Sequence, residues 1–323
     1  MTATSPASDT RRKAGDVWRD RSFRAVALVA GLLVLAILGL IAYATTAQAW
    51  PAFRQTGFSF ITSDKWIPSQ NKFGALAFIY GTVVSSVIAL VFAVPLSLGM
   101  ALFMTELVSG RVRRWVTYIV DLLAAIPSVV YGYWALTVFA PPAQRFYKHI
   151  ADTIGTLPGL SRIFGGPANG TSFMTAGLIL AVMIIPIVTA LSREALATVA
   201  QDDKNAALAM GATRWEMLRA TVFPRVRTGL VGAVMLGLGR ALGETIAVAL
   251  TIGANHQITS KVFQPGDSMA AVIAHEFGEA TGVHRSALIG LGVVLFALTI
   301  AINMLARFVT NRTAGAYKAV VRA

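Results

Sequence analysis

Residues 73–105 read FGALAFIYGTVVSSVIALVFAVPLSLGMALFMT, and no Asp, Glu, Lys or Arg interrupts them. About 20 apolar residues are enough for a helix to cross the hydrocarbon core of a bilayer. Further long uncharged stretches lie at 25–53, 122–144, 163–192 and 286–306. Such segments are too long for transmembrane β-strands, which need only about 9 to 11 residues. The sequence therefore predicts an all-α, polytopic membrane protein.

The composition also favours a membrane protein over a soluble enzyme. Charged residues make up 13% of the chain, against roughly 25% in soluble domains. Hydrophobic residues make up 55%, and the mean hydropathy is +0.65. The chain has no cysteine, which excludes a disulfide scaffold and thiol chemistry. We predict six transmembrane helices, placed at 24–48, 73–106, 115–140, 171–191, 228–253 and 284–306.

The positions of Lys and Arg indicate how the chain is oriented. If the six spans alternate in direction, 19 of the 28 basic residues lie on one side, eight lie on the other and Arg240 lies within a span. The positive-inside rule then places both termini in the cytoplasm. Topology also explains the net charge of +13, so we do not expect nucleic-acid binding. The expected parts are a basic tail (1–23), a first span (24–48), a five-span core (73–306) with a cytoplasmic loop (192–227), and a C-terminal tail (307–323).

Proline and glycine residues indicate bends and close contacts within the spans. Pro95, Pro127 and Pro186 fall inside three consecutive spans, where a proline removes one backbone hydrogen bond and kinks the helix. Each is either a tolerated kink in a packed bundle or a moving hinge. Gly239 and Gly243 have the small-xxx-small spacing that lets helices approach closely. We therefore expect the fifth span to lie at the centre of the bundle.

Arg240 and Glu244 are charges that a bilayer tolerates poorly. Arg240 lies about 20 Å from the cytoplasmic edge of its span, and a charge at that depth costs on the order of 2.5 to 3.5 kcal/mol. The spacing of four predicts that both residues share one helix face. They form either a structural ion pair or part of a polar pathway on which the guanidinium donates hydrogen bonds to an oxyanion. Asp121, near the start of the third span, either pairs with Arg113 or Arg114 or faces that pathway.

The cytoplasmic loop predicts two short helices. Acidic residues begin a helix over 202–210, and Gly211 is suited to the position after its C-terminus. Thr213 and Glu216 have the spacing of a capping box, which begins a second helix, and we expect Pro224 to limit its length. One interpretation is a pair of helices lying on the lipid headgroups. The alternative is a docking surface for a partner.

The loop resembles the coupling loop of ABC importer permeases, whose pattern is E-A-A, three residues, G, nine residues and I-x-L-P. The matching segment here has Asn205, Ala206, Ala207, Gly211, Thr221, Phe223 and Pro224, with Asn205 in place of the family's Glu. Residues 126–132 (IPSVVYG) and 239–245 (GRALGET) are similar to the phosphate-specific branch of these permeases. Residues 276–280 (EFGEA) are similar to its PstC-type subunit.

The resemblance implies a MetI-like type I importer fold in a bacterial cytoplasmic membrane, and inorganic phosphate as the substrate. The implied partners are a second, homologous permease, a dimeric ATP-hydrolysing subunit and an extracytoplasmic phosphate-binding protein. The candidate residues of the substrate pathway are Arg240, Glu244, Thr245 and Asp121. The candidate contacts to the ATPase are Asn205, Ala206, Ala207, Gly211, Thr213, Phe223 and Pro224.

Several kinds of site are not found in the sequence. No stretch matches G-x-x-x-x-G-K-[ST], so we expect ATP and Mg²⁺ to be bound by the partner, with no catalytic residue and no cofactor in this chain. Four histidines without the H-E-x-x-H spacing give no metal site. A permease for another oxyanion, such as molybdate, sulfate or phosphonate, is an alternative hypothesis. An ATP-independent secondary transporter is a further one.

Overall fold

The computed structural model describes the backbone of residues 14–108 and 110–322, and the side chains of 21–108 and 110–308. Numbered in chain order, its principal helices are α1 (Ala14–Thr56), α2 (Leu76–Leu102), α3 (Gly110–Ala125), α4 (Ser128–Trp134), α5 (Ala140–Thr153), α6 (Phe173–Ala197), α7 (Gln201–Ala209), α8 (Arg214–Met217), α9 (Phe223–Gly243), α10 (Ile246–Ile252), α11 (Met269–Glu276) and α12 (Gly282–Arg322). Two further helices of one turn lie at Ser59–Thr62 and Ser161–Phe164. Wider π-type turns lie at Phe103–Leu107, Ala135–Phe139 and Leu218–Val222. No β-strand forms in the described residues, which confirms the all-α class.

Five helical segments are long and apolar enough to cross a membrane. They are Arg21–Thr56, Leu76–Leu107, Phe173–Ala197, Arg214–Gly243 and Gly282–Phe308. A sixth crossing is formed if α3 and the segment Ser128–Thr156 are counted as one bent span. These segments confirm a multi-pass membrane protein.

The third span bends at Pro127, as the proline predicts, but the bend is so sharp that the span consists of two helices and not of one helix over 115–140. The two segments on either side of Pro127 are bent by 89°. Pro127 has an extended backbone, with ψ at 143°, and α4 begins at the next residue. A proline lacks a backbone N–H and disfavours a helical conformation in the residue before it, so α3 ends at Ala125.

Two other prolines do not interrupt their helices. Pro95 lies inside α2, and Pro186 lies inside α6. Both helices continue for two turns or more on either side, because the remaining backbone hydrogen bonds and the packing of the bundle hold them. The three prolines therefore differ, and only Pro127 separates two helices.

The fifth span begins earlier and ends earlier than predicted. Pro224 was expected to end the second loop helix, but α8, the π-type turn Leu218–Val222 and α9 form one uninterrupted helical segment. The N–H of Phe223 donates to the carbonyl of Leu218, five residues back. This wider turn makes room for the proline ring, which would otherwise clash with the carbonyl four residues before it. At the other end, α9 stops at Gly243, so the predicted span over 228–253 is divided between α9 and α10.

The centre of the bundle is α6 and not the fifth span. In its most apolar window 61% of the residues are buried, against 28% for Arg214–Gly243. Gly237 of α9 packs closely against α6, since an added Cβ would lie 2.6 Å from Val188 Cγ2. An added Cβ at Gly239 or Gly243 would meet nothing within 4 Å. No helix of the described chain makes the predicted close contact at these two glycines, because the face of α9 that packs on α6 carries Gly237 instead.

Contacts divide the chain into two units, 1–48 and 49–323. In the first unit, the large apolar side chains of α1 from Phe23 to Tyr43 are exposed, as expected for a helix that faces lipid. In the second unit, one apolar cluster contains Phe60, Trp66 and Leu288 and lies at what we call the 253–281 end. Another cluster, with Leu196, Met217 and Val222, lies at the opposite end, which we call the 192–227 end.

Gly177 tests the packing of α6 on α2. An added Cβ there would clash with the Ile88 side chain and lie 3.1 Å from the Ser85 carbonyl oxygen. We expect Gly177→Ala to cost about 1 to 3 kcal/mol through overpacking, measured as a lower midpoint of thermal unfolding of the purified protein in detergent. Gly99→Ala is the matched control in α2, because its Cβ would meet nothing within 4 Å. Equal midpoints for the two variants would contradict the close packing at Gly177.

Candidate functional site

A cavity of about 650 Å³ opens between α6, α9 and α12. It follows one face of α9 from Thr228 to Arg240, with residues three or four apart along the helix. Asn303 and Arg307 of α12 line the cavity on the other side. Apart from these polar groups its walls are mainly aliphatic or glycine, so the cavity combines two guanidinium groups with an apolar surround.

Arg240 lies on α9, in the span predicted to contribute to the pathway, but it does not pair with Glu244 as predicted. Its side chain is exposed to the cavity, and in the described part of the chain it makes no ion pair and no hydrogen bond. The structural ion pair with Glu244 is therefore not formed. The reason is that α9 ends at Gly243 and the backbone of Glu244 is extended, with ψ at 126°, so the two residues do not share one helix face.

Glu244 and Thr245 form the break between α9 and α10. Glu244 Oε1 accepts a long hydrogen bond of 3.4 Å from the N–H of Ala247, near the start of α10. Thr245 Oγ1 donates to the carbonyl of Gly243 at 3.3 Å. Both side chains are partly buried. Polar side chains thus form hydrogen bonds with backbone groups at a break inside the membrane-spanning region. Such bonds are needed there, because lipid offers the backbone no hydrogen-bond partner.

Asp121 is exposed on α3 and does not line the cavity. No ion pair joins it to Arg113 or Arg114 among the described residues, so the predicted pairing at the interface is not found. Arg113 instead donates through Nη2 to the carbonyl of Thr105, at 3.5 Å. Arg240 of α9 and the α12 residues Asn303 and Arg307 therefore line one cavity, and Asp121 is not among its lining residues.

The predicted first helix of the loop is present as α7, and it ends as expected. Gly211 follows the C-cap residue Met210 with φ at +90°, a left-handed conformation that favours glycine. The N–H of Gly211 donates to Leu208 O at 3.0 Å, and the N–H of Ala212 donates to Ala207 O at 3.3 Å. This pair of hydrogen bonds is a Schellman motif, which gives the chain a fixed turn after α7.

The predicted capping box is also present. Thr213 Oγ1 accepts a hydrogen bond from the N–H of Glu216 at 3.3 Å, and Glu216 Oε2 accepts one from the N–H of Thr213 at 2.8 Å. The turn after α7 and the start of α8 are therefore both held by hydrogen bonds between neighbouring residues. The loop therefore consists of two short helices joined by a hydrogen-bonded turn, and it is not a flexible linker.

Two ion pairs attach this unit to the bundle. Lys204 is buried, and its Nζ lies 2.5 Å from Oε1 of Glu106, in the π-type turn that follows α2. Arg225 of α9 pairs with Asp203 of α7 at the surface. No local sequence pattern connects Glu106 with Lys204, because 98 positions separate them. Loss of one partner should reduce stability much more for the buried pair than for the exposed pair, because it leaves an unpaired charge in a medium of low dielectric constant.

The residues predicted to contact a partner lie on both faces of the loop. Asn205, Ala206, Gly211 and Thr213 are exposed, whereas Ala207 is buried and Phe223 and Pro224 are partly buried. Met210 is 84% exposed and Trp215 is 61% exposed, although both are large and apolar. The turn between α7 and α8 therefore presents an apolar surface that no described residue covers.

At the 253–281 end, the structure gathers ionisable groups that the sequence did not connect. Glu276 Oε2 lies 2.8 Å from His284 Nε2 and accepts a hydrogen bond from Trp66 Nε1 at 2.9 Å. His256 Nε2 lies 3.3 Å from Asp267 Oδ2 and 3.7 Å from Glu276 Oε1. These residues come from two loops and two helices, so no local spacing could indicate the cluster. It ties the segment before α2 to α11 and α12.

Metal binding is not indicated at this cluster. In the residues that the structure describes, no group of three or more His, Asp or Glu side chains is arranged to hold a metal ion. Aromatic rings surround the histidines: the ring of His284 stacks on Phe73 at 5.6 Å, and His256 meets Phe78 edge-on at 5.1 Å. The cluster is a network of polar side chains whose histidine rings pack against phenylalanine rings.

These features define a membrane transport permease, with a charged cavity among its spans and a rigid loop at one end. The family model described as "binding-protein-dependent transport system inner membrane component" matches residues 93–315, and the chain belongs to this family. The match confirms the family that the loop pattern and the membrane motifs indicate.

Curated relatives extend over nearly the whole chain. The chain is 44% identical over 295 residues to the "Phosphate transport system permease protein PstC" of Mesorhizobium japonicum, covering 91% of this chain and 90% of the relative. It is 40% identical over 304 residues to the protein of the same name from Haemophilus influenzae, covering 94% and 96%. It is 38% identical over 301 residues to "PstC 2" of Mycobacterium tuberculosis, covering 90% and 92%.

Solved structures show the same fold. A bacterial ABC transporter involved in the import of the acidic polysaccharide alginate superposes with a TM-score of 0.56 at 21% identity, over 92% of this chain and 98% of the other. An inward-facing MetNI methionine ABC transporter superposes with a TM-score of 0.53 at 18% identity, over 77% and 96%. The predicted MetI-like fold is confirmed.

The His256 contacts predict how stability depends on pH. The hydrogen bond to Asp267, together with the charges of Asp267 and Glu276, raises the pKa of His256 above 6.5, although burial opposes the shift. A raised pKa in the folded state stabilises the protein fully below the unfolded value near 6.5, and the stabilisation is lost as the pH rises through the folded pKa.

We therefore expect the thermal midpoint of the wild type to exceed that of His256→Gln most at about pH 5.5, and the difference to shrink towards about pH 8.5. Thermal unfolding in detergent across this range measures it. His149→Gln is the matched control, since His149 makes no ion pair among the described residues. A difference that does not vary with pH would show that His256 acts through packing alone.

Proposed function

We propose that this chain is the permease subunit of an ATP-driven importer of inorganic phosphate. The observation that carries the proposal is Arg240, an arginine deep in a span that faces a cavity without an ion pair among the described residues. A charge at that depth is costly unless it faces water or binds an anion. The matched relatives are phosphate transport permeases by name, which supports phosphate as that anion.

The guanidinium of Arg240 suits a phosphate oxyanion. It offers up to five N–H donors in a planar fork and stays charged at every physiological pH. Phosphate that leaves water loses hydrogen bonds, and Arg240 would replace part of them. Glu244, four residues further along the chain, accepts a hydrogen bond from the N–H of Ala247 and does not pair with Arg240, so the guanidinium is available to the substrate.

The cycle that we propose is alternating access. Two homologous permeases would enclose the pathway, and the closing of the ATPase would change which side the pathway faces. An importer needs this alternation, because an arginine that held phosphate permanently would stop transport. ATP and Mg²⁺ would be bound by the ATPase, and this chain would supply neither a cofactor site nor a catalytic residue.

The loop between α6 and α9 would receive the motion of the ATPase. Its exposed apolar turn with Met210 and Trp215 offers a surface for a groove on a partner. The Schellman motif and the capping box make that surface rigid, and the buried pair between Lys204 and Glu106 connects it to α2. A displacement of the loop would therefore move the end of α2 together with α9.

The remaining partners and the orientation follow from the same proposal. We place both termini in the cytoplasm of a bacterial cell, with the 192–227 end on the cytoplasmic side of the cell membrane. An extracytoplasmic phosphate-binding protein would deliver phosphate to the 253–281 end. Purification of the intact complex, followed by identification of the co-purified subunits, tests the set of partners.

Arg240→Gln tests the pathway. The variant keeps a polar side chain but loses the charge, and a hydrogen bond to a charged group is worth about 1.5 to 3 kcal/mol. We therefore expect phosphate uptake to fall by roughly 10-fold or more in membranes that retain the assembled complex. Arg111→Gln, at the exposed start of α3, is the charge-matched control. Undiminished uptake in Arg240→Gln would remove this residue from the mechanism.

The same assay distinguishes phosphate from other oxyanions. Unlabelled molybdate, sulfate or phosphonate is added in excess to labelled phosphate during uptake. We expect unlabelled phosphate to compete strongly and the other anions to compete weakly. Stronger competition by another oxyanion would identify that anion as the substrate.

Substitutions of Gly211 test whether the loop couples ATP hydrolysis to phosphate transport. An added Cβ would meet nothing within 4 Å, so a substitution acts only through the left-handed backbone at φ +90°. We expect Gly211→Val to disrupt the turn and to lower phosphate uptake per ATP hydrolysed by several-fold, because β-branched residues rarely adopt this conformation. Gly211→Asn, which adopts it readily, should retain coupling. Normal coupling in Gly211→Val would exclude the docking of this turn.

A further inference from the structure

The cavity beside Arg240 contains a second arginine, which the sequence pattern places in the C-terminal tail. Arg307 lines the cavity from α12, together with Asn303, which lies four residues earlier on the same helix face. Both residues lie within the segment Gly282–Phe308 that is apolar and long enough to cross a membrane. Arg307 directly follows the uncharged run 286–306 and faces the same space as Arg240.

The two arginines lie at different depths. The C-terminal part of α9 and the helix α10 pack in a cluster that contains Ala241, Val248 and Ile252, towards the 253–281 end. The first turns of α12, with Leu288 and Leu291, also belong to the cluster at the 253–281 end. Helices α9 and α12 therefore run in opposite directions. Arg307, at the far end of its span, lies nearer to the 192–227 end than Arg240.

No carboxylate compensates the positive charges in the described lining of the cavity. Its described lining contains the guanidinium groups of Arg240 and Arg307 and no carboxylate. Neither guanidinium makes an ion pair within the described part of the chain. Two positive charges among apolar walls are unfavourable unless water or an anion accompanies them. A phosphate group carries about −1.5 to −2 charges at neutral pH, which matches this excess.

The cavity also has room for such a group. An added Cβ at Gly232 or Gly239, both on the lining face of α9, would meet nothing within 4 Å. These positions thus leave open the space that side chains would fill. A volume of about 650 Å³ exceeds that of a phosphate ion with several waters, each of which takes roughly 30 Å³. Asn303 adds an amide that donates hydrogen bonds and does not repel an anion.

We propose that Arg307 and Asn303 form a second binding station for a phosphate group, on the side of the cavity nearer to the 192–227 end. The proposal rests on the proposed function, because it extends the pathway that begins at Arg240. Its ligand is a phosphate oxyanion bound by a guanidinium and an amide. Transported inorganic phosphate and the headgroup of an anionic lipid both present this chemistry.

The experiment uses the whole complex, reconstituted in vesicles of phosphatidylcholine alone or with phosphatidylglycerol. We expect Arg307→Gln to lower phosphate uptake by roughly 10-fold in both lipids, since it removes a charged hydrogen-bond donor. Arg307→Lys, which keeps the charge but loses the planar fork, should retain part of the uptake. Size-exclusion chromatography establishes that each variant assembles.

Arg285→Gln is the matched control, because it removes the same charge from α12 about 33 Å away along the helix. Arg285 lies outside the cavity, over the ring of Phe277. Its uptake should equal that of the wild type. Gly232→Leu provides a second test without a change of charge: it fills the cavity, and we expect it to lower uptake as Arg307→Gln does.

Each outcome decides the proposal. A loss in both lipids supports a station for transported phosphate. A loss confined to vesicles with phosphatidylglycerol supports the same site with a lipid headgroup as its ligand. Uptake in Arg307→Gln equal to that of the wild type in both lipids overturns the proposal. If Arg240→Gln still loses uptake in that case, the proposed function stands without the second station; if both variants transport normally, both proposals fail.

Discussion

The packing of α6 against its neighbours is the interaction on which the rest of this structure depends. Gly177 lets α2 approach α6 on one side, and Gly237 lets α9 approach it on another. Without water in the hydrocarbon core, close packing of this kind is the main attraction between helices. It fixes α9 at a definite rotation, and that rotation decides which of its residues face the cavity: Arg240 does, and Gly237 does not.

The same packing permits the breaks in the helices. Backbone groups that leave a helix inside a membrane must find partners within the protein or in a water-filled cavity. The break after Gly243 meets this condition, because Glu244 accepts from the N–H of Ala247 and Thr245 donates to Gly243. The Glu244 carboxylate therefore accepts a hydrogen bond from the backbone, and Arg240 has no ion-pair partner among the described residues. A continuous helix would have placed the two charges on one face, where they would neutralise each other.

The sequence was most informative where neighbouring residues decide the structure. The Gly211 turn and the capping box of Thr213 and Glu216 were predicted correctly, since every hydrogen bond in them joins residues a few positions apart. The helix boundaries at Pro224 and Gly243 were predicted wrongly, because a π-type turn continues the helix through Pro224 and the extended backbone of Glu244 ends it after Gly243. The contact between Lys204 and Glu106 and the histidine cluster involve residues far apart in sequence, for which no local pattern exists. Arg307 was counted with a tail because its role depends on α9 lying beside it.

A pathway for phosphate must release the anion as readily as it accepts it, and the exposure of the two arginines bears on this requirement. Two unit charges 4 Å apart interact with about 4 kcal/mol at an effective dielectric constant near 20, and with about 1 kcal/mol in water. A cavity that excludes water therefore holds phosphate, and the same cavity open to water holds it weakly. Because Arg240 and Arg307 have no competing carboxylate in the described lining, the strength of their interaction is set mainly by access of water. Opening towards the 192–227 end would then release phosphate without any change in the residues that bind it.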